Sequence, residues 1–190
     1  MIGLERGNVA LCPHDPEWGA EARRTMDKLR LILGDAAVDI AHVGSTAVNA
    51  IVAKPIIDIA VATDDFESIL NKNGELEKSG FYYRYEIDAS GERVRREAGP
   101  ANAGIAQLLY ACGGLYDGSN SLQTHFIHVV KADSAEWHDY INFRDRLNAD
   151  ATIAKEYEKL KMALSQKYAD DRKEYTARKN DFIRHILNPF

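Results

Sequence analysis

A small-residue turn and a carboxylate downstream of it form the pattern with the clearest chemical meaning in this sequence. Gly44, Ser45 and Thr46 follow a short predicted strand. Small residues at such a turn let backbone N–H groups approach an anion, and the two hydroxyls are further donors. Asp58 lies inside the apolar run 56–61, where a charge is costly unless it is bound. Together they predict a phosphate cradle beside an acid able to hold magnesium, Mg2+.

Each of these residues also has an ordinary structural interpretation. Gly44 and Ser45 alone are most simply an ordinary turn, because both residue types are common there. Strand periodicity places Asp58 on the same face as Ala60 and opposite the flanking isoleucines. On that face Asp58 could bind a cation, or it could be a structural acid bonded to the backbone or to Lys54.

Three cations could add positive charge to the same site. Lys54 precedes Pro55, which favours an extended backbone at the start of the strand. Arg144 and Lys179 lie at helical spacing from aromatic and aliphatic neighbours, so both fall on or beside inward helix faces. A cation there requires an anionic partner or a route to water. The pattern therefore predicts a shared anion pocket or, alternatively, side chains that reach solvent at the edge of the core.

Three histidines are further candidates for the site. His42 directly precedes the turn. His125 and His128 are separated by an odd number of positions within one apparent strand, so they point to opposite faces and should not form a two-histidine metal site. We therefore expect only one of that pair to face the pocket, and His128 joins His42 as a candidate ligand-binding residue. A structural role is the ordinary alternative for each histidine.

The elements that must position these side chains follow from periodicity and from cap and breaker residues. Helix starts are expected at Asp15, around 63–65, at Ser134 and at Asp150, with a further helix from 172 to 187 and a break at Gly74. The polar stretch 86–104, with Arg93, Arg95 and Arg96, predicts a surface loop. Strands are expected near 9–11, 39–43, 56–62, 81–85, 106–112 and 122–130, with the last two forming an antiparallel hairpin.

This order of elements predicts an α+β fold, with a mixed sheet flanked by helices and a helical C-terminal third. We expect a single domain over residues 1–190, in which a mixed α/β core at 1–131 carries packed C-terminal helices at 132–190. The length is sufficient for one domain with a substantial core.

Composition excludes several classes of protein. The net charge of −5 argues against binding nucleic acid through a broad basic surface. The two cysteines, Cys12 and Cys112, have no metal-ligand spacing and fit reduced thiols. No signal peptide and no apolar run of membrane-spanning length is recognisable, so we expect a cytoplasmic protein without membrane contact.

The segments 42–48, His-Val-Gly-Ser-Thr-Ala-Val, and 53–59, Ala-Lys-Pro-Ile-Ile-Asp-Ile, resemble the signature of the GrpB family. Its members are small bacterial proteins with a nucleotidyltransferase-like fold, sometimes fused to dephospho-CoA kinase. The resemblance extends over nearly the whole chain, with further landmarks at 15–18, 124–130, 143–147, 157–161 and 175–183.

The resemblance implies a chemistry as well as a fold. The wider nucleotidyltransferase superfamily has a Gly-Ser turn, then a strand with two carboxylates one residue apart that bind magnesium and position a nucleoside triphosphate for attack at its α-phosphorus. Gly44, Ser45 and Asp58 match this pattern, so Asp58 would be the catalytic metal ligand. Ala60 stands where the second acid is expected. Three acids are candidates to compensate for it in space: Asp39, Glu86 and Asp88.

Two main functions follow. The first is transfer of a nucleotidyl group from a nucleoside triphosphate to an unknown acceptor with Mg2+. The second, favoured by Ala60, is a non-catalytic module that binds a nucleotide or another phosphate-bearing small molecule. A second carboxylate near Asp58 would favour the enzyme, whereas a salt bridge from Asp58 to Lys54 or Arg144 would favour the module. A scaffold that binds another protein has no positive support in the sequence.

Overall fold

A mixed β-sheet with helices on both faces forms the architecture of the protein. The computed structural model describes residues 1–49, 51–94, 104–114, 117 and 122–187. Seven strands pair in this part of the chain: β1 Leu4–Glu5, β2 Asp39–Val43, β3 Ile57–Thr63, β4 Tyr82–Asp88, β5 Arg93–Val94, β6 Ile105–Gly113 and β7 Leu122–Lys131. The α-helices are α1 Glu17–Leu33, α2 Phe66–Leu70, α3 Asn73–Lys78, α4 Ala135–Ala149, α5 Ala151–Lys167 and α6 Arg172–Leu187.

The strand order is β2-β3-β7-β6-β4-β5, and β1 pairs with β7 outside this path. The β3–β7 pair is parallel, whereas the other strand pairs described are antiparallel. In the parallel register Ala60 is the partner of His128, so residues distant in sequence become neighbours at the centre of the sheet. The predicted β6–β7 hairpin is confirmed, and so is the α+β class with its mixed sheet.

The two faces of the sheet differ in character. Ile57 and Ile59 of β3 pack into a core with Trp18 and Leu29 of α1, all at most 1% exposed. Burial of side chains of this size stabilises the fold by about 1.5–3 kcal/mol each. Asp58 points to the opposite face, as strand alternation predicts. That face is covered by the last three helices, and the site lies there.

Side-chain caps fix where the C-terminal helices begin. Ser134 accepts a hydrogen bond from the Trp137 N–H at the start of α4. Asp150 accepts from the N–H groups of Thr152 and Ile153 at the start of α5. Both helices therefore begin where their cap residues predict, because the caps satisfy N–H groups that lack intrahelical partners.

Replacing Asp150 with alanine should lower the free energy of unfolding by about 1 kcal/mol, because two N–H groups of α5 lose their acceptor. Urea denaturation followed by circular dichroism measures the change. Asp150→Asn retains a capping oxygen and should stay close to the native value, so an equal loss in both variants would contradict the capping role.

Three local predictions were wrong. The first strand is Leu4–Glu5, whereas Val9 donates its N–H to the carbonyl of Ala169 and the next pairing along the chain is the isolated bridge of Cys12 with Ala53, so a ladder does not form at residues 9–11. The helix expected to break at Gly74 breaks earlier, between Leu70 and Asn73. Part of the stretch expected to be a loop instead continues β4 to Asp88 and adds β5; Arg95 and Arg96 lie outside the described residues.

Within the part of the chain that is described, none of the helices combines the length and the apolar character needed to cross a membrane.

Candidate functional site

A cavity of about 540 Å³ lies between the sheet and the C-terminal helices. The sheet contributes Asp58 from β3 and His128 from β7, and the Gly44–Ser45 turn forms part of the wall. Tyrosines from α4, α5 and α6 line the other side: Tyr140, Tyr157 and Tyr175. A volume of this size is in the range of small-molecule and cofactor sites.

Gly44 and Asp58 are in close contact at the base of this cavity. Gly44 has φ 69° and ψ −169°, a conformation found almost only in glycine. A Cβ atom at this position would lie 2.6 Å from Asp58 Oδ2 and 3.0 Å from Asp58 Cβ. The turn is closed by hydrogen bonds from the N–H groups of Ala47 and Val48, so those of Ser45 and Thr46 take no part in closing it. Glycine is therefore required for the turn to approach the acid.

Asp58 belongs to a side-chain hydrogen-bond network. His128 Nε2 donates to Asp58 Oδ1 at 3.2 Å, and His128 Nδ1 accepts from the Gln107 amide at 2.8 Å. The Tyr140 hydroxyl lies 3.1 Å from the same Nδ1 and donates to Gln107 Oε1 at 3.2 Å. Burial raises the pKa of Asp58, but the hydrogen bond from His128, together with the charges of Lys54 and Lys179, outweighs it and holds that pKa below 3.8. Asp58 is therefore an anion held by a histidine.

Two lysine side chains lie close to the ring of Tyr175. The Lys54 Nζ lies 5.2 Å from the centre of this ring, and the Lys179 Nζ lies 5.5 Å from it. Arg172, one helical turn before Tyr175, also lines the cavity and donates to Gln123 Oε1 at 2.6 Å. Burial, and then the charges of Lys179 and Arg172, lower the pKa of Lys54 well below 10.5. These cations repel one another across the cavity.

The structure brings together six of the residues selected from sequence: Gly44, Ser45, Lys54, Asp58, His128 and Lys179. His128, not His125, faces the cavity, while the His125 Nε2 lies 3.1 Å from the Thr25 hydroxyl on the α1 side. Opposite faces for the two histidines are what strand alternation requires.

Three of the selected residues do not line the cavity: His42, Thr46 and Arg144. His42 Nε2 pairs with the Thr46 hydroxyl at 3.0 Å, and burial lowers the pKa of His42 to about 4, so its ring is neutral near pH 7. Arg144 pairs with Asp145 at 2.7 Å and donates to the His42 carbonyl at 3.1 Å. These residues hold the end of β2 and the turn in place behind the wall of the cavity.

None of the acids suggested as a replacement at the Ala60 position meets Asp58. Glu86 is the register partner of Leu108, whose side chain belongs to the core against α1, so Glu86 lies on the other face of the sheet. Asp88 accepts from the Ser90 N–H in a turn, and Asp39 accepts from the Ile40 N–H at the far end of β2.

The donor set at Asp58 does not fit a two-metal centre. No group of three His, Cys, Asp or Glu side chains among the described residues could hold a metal ion. One oxygen of Asp58 already accepts from His128, and Ala60 offers no ligand. The salt bridges from Asp58 to Lys54 or Arg144 that the sequence suggested are also not formed, because His128 is the partner instead.

Sequence reasoning missed Arg172, Gln107 and Tyr140 as site residues. Arg172 precedes Tyr175 by three residues and Lys179 by seven, so helical spacing could have placed all three on one face. Gln107 has no comparable local signal, because its contact with His128 depends on the pairing of β6 with β7.

Comparison with known proteins places the chain among bacterial relatives. A family model described as GrpB protein matches residues 8–189. The "Glutamate-rich protein GrpB" of Alkalihalophilus pseudofirmus is 34% identical over 189 residues, covering 99% of both chains.

Solved structures share the fold. The crystal structure of conserved protein GrpB from Enterococcus faecalis superposes with a TM-score of 0.76 at 24% identity, over 95% of this chain and 98% of that one. The Cid1 poly(U) polymerase, solved with MgGTP bound, superposes with a TM-score of 0.52 at 14% identity, over 81% of this chain and 44% of that one. At these identities the matches are evidence for the fold alone. They confirm that the fold is nucleotidyltransferase-like.

Proposed function

Because this chain belongs to the GrpB family, and because its cavity is lined by several cations and by a glycine turn, we propose that it binds a phosphate-bearing small molecule of nucleotide size. The observation that carries this proposal is that Lys54, Lys179 and Arg172 line the same cavity. No salt bridge joins any of the three to a carboxylate in the part of the chain described. Partly buried cations without anionic partners are costly in the free protein and favour an anionic ligand.

The phosphate end of the ligand would lie against Lys54 and Lys179, with the Ser45 hydroxyl and the N–H groups of the turn as neutral donors. Charge-assisted hydrogen bonds of this kind are stronger than those between neutral groups. The tyrosines and Phe126 supply flat apolar surfaces that suit the ring of a nucleobase or a similar group. Asp58 and His128 would then face the ligand from the sheet.

Replacing Lys179 with methionine should weaken the binding of ATP by about ten- to a hundredfold, because one charge-assisted contact to phosphate is lost. Isothermal titration calorimetry of the purified protein measures the dissociation constant. Lys173→Met is the matched control, since Lys173 is exposed on the same helix and does not line the cavity. If the Lys179 variant and the native protein bind ATP with equal affinity, the ligand does not bind in this cavity. If the protein binds no nucleotide and no coenzyme A precursor, the proposed function is wrong.

A second candidate is nucleotidyl transfer with magnesium, and a specific observation favours it. Asp58 and the Gly44–Ser45 turn lie side by side in the cavity, in a fold shared with Cid1, which was solved with MgGTP. Magnesium would be held by Asp58 and by the phosphates of the ligand, because the described residues of the sheet offer no second carboxylate beside Asp58. Release of pyrophosphate from a nucleoside triphosphate across a panel of acceptors, lost in Asp58→Asn, would establish this activity. If no acceptor leads to release of pyrophosphate, the second candidate is wrong and the proposed function remains ligand binding.

A further inference from the structure

We propose that the cations around Tyr175 form a subsite for a chain of two or more linked phosphates and that this subsite works without a divalent metal ion. The inference rests on the proposed binding function and specifies its ligand: an oligophosphate or its ester. In this arrangement Lys54, Lys179 and Arg172 supply the counter-charge that magnesium supplies elsewhere.

The geometry supports several phosphates rather than one. Lys54 reaches the cavity from the segment before β3, whereas Arg172 and Lys179 come from α6. Two of the ammonium groups lie 5.2 and 5.5 Å from the centre of one tyrosine ring, so they approach the same volume from different elements. The Arg172 guanidinium lies 5.2 Å from the centre of the Phe126 ring and extends the positive wall along the cavity.

A single phosphate carries too little charge for this wall. Near neutral pH a phosphate monoester carries about two negative charges, and each further linked phosphate adds about one. Arg93 and Arg184 also line the cavity, so five cations face three carboxylates there. Three of the five, Lys54, Lys179 and Arg172, form no salt bridge with a carboxylate in the described part of the chain. Two linked phosphates, with about three negative charges, therefore match these three cations better than a monophosphate does.

The side chains around Asp58 indicate that the phosphates can bind without magnesium. Magnesium in phosphate sites is usually bound through one or two carboxylates together with the phosphates. Here the carboxylate from β3 has one oxygen occupied by His128, and a cluster of three metal-ligating side chains does not occur in the described ranges. Magnesium bound to the phosphates would also lower their charge and so weaken their attraction to Lys54 and Lys179.

Calorimetry with AMP, ADP, ATP and inorganic tripolyphosphate tests the subsite, first with EDTA present and then with MgCl2. In EDTA the affinity should rise by about tenfold from AMP to ATP, and tripolyphosphate should bind. Added magnesium should weaken the binding of ATP. If ATP binds only when magnesium is present, the metal-free subsite is overturned while the proposed binding function stands. If AMP binds as tightly as ATP in EDTA, the oligophosphate specificity is overturned.

Two variants separate the lysines from the carboxylate. Lys54→Met should remove most of the difference between ATP and AMP, because it takes away one cation facing the phosphates. Asp58→Asn should raise the affinity for ATP in EDTA, because it removes a negative charge from the cavity. Loss of ATP binding in Asp58→Asn, with folding shown by circular dichroism, would contradict a site built on lysines and indicate one built on a metal. No binding of any probe in either buffer would refute both the subsite and the binding function.

Discussion

Gly44→Ala is expected to lower the free energy of unfolding by about 2–5 kcal/mol and to abolish ligand binding. A non-glycine residue at φ 69° and ψ −169° costs about 1–3 kcal/mol in backbone strain. The added methyl would also lie 2.6 Å from Asp58 Oδ2, which is closer than non-bonded atoms tolerate. Relief requires Asp58 to move, and His128 holds its other oxygen at 3.2 Å. Overpacking of this kind adds about 1–3 kcal/mol.

Gly74→Ala is the matched control for this substitution. Gly74 lies in α3, and a Cβ there would meet no atom within 4 Å. Alanine at an unstrained helix position should stabilise the protein by about 0.5–1 kcal/mol. Urea denaturation gives both free energies of unfolding, and calorimetry with ATP gives the effect on the site. A Gly44 variant as stable as the native protein would show that the turn does not press against Asp58.

Lys161→Met is expected to change the pH dependence of stability. Lys161 is 1% exposed, donates to the Val52 carbonyl, and its Nζ lies 4.7 Å from the centre of the Tyr157 ring. Burial, and then the charge of Lys179, lower its pKa to about 7, although Glu158 opposes the shift. In the unfolded chain a lysine has a pKa of about 10.4. The folded protein therefore releases this proton more readily than the unfolded chain does.

The direction in which stability changes with pH follows from proton binding to Lys161 in the folded and unfolded states. Below pH 7 both states hold the proton, and the folded state carries the full cost of the buried charge. Between about pH 7 and 10.4 only the unfolded chain holds it, so this lysine makes the free energy of unfolding rise with pH. Methionine has no such proton. The stability of Lys161→Met relative to the native protein should be greatest near pH 6 and fall by on the order of 3–5 kcal/mol by pH 10.

Denaturant titrations of both proteins between pH 6 and 10 measure this difference directly. The lost hydrogen bond to the Val52 carbonyl adds an offset that does not depend on pH. The test is therefore how the difference in the free energy of unfolding changes with pH, not its size at one pH. Lys159→Met is the control, because Lys159 is exposed on the same helix and its ammonium group remains in water in both states. Parallel curves for the native protein and the Lys161 variant would show that this lysine keeps its proton on folding.

Local signals in the sequence were sufficient for most of the secondary structure. β2 was expected at 39–43 and is observed at Asp39–Val43, and α4 and α5 begin at their cap residues Ser134 and Asp150. Strand alternation also placed Asp58 on the face opposite Ile57 and Ile59. These features depend on backbone geometry and on contacts a few residues apart, which a single sequence displays directly.

The sequence by itself therefore determined the glycine turn, the lone acid without a second at Ala60, and two of the lysines that share its pocket. Only the tertiary structure decided that His128 is the partner of Asp58, because that contact requires β3 to pair in parallel with β7 in one particular register. It also decided that Arg144 binds the β2 carbonyl behind the wall while Arg172 lines the cavity. The physical reason is that side chains far apart in sequence meet according to the register of the sheet and the packing of α4–α6 on it. Those depend on many weak contacts summed over the whole chain.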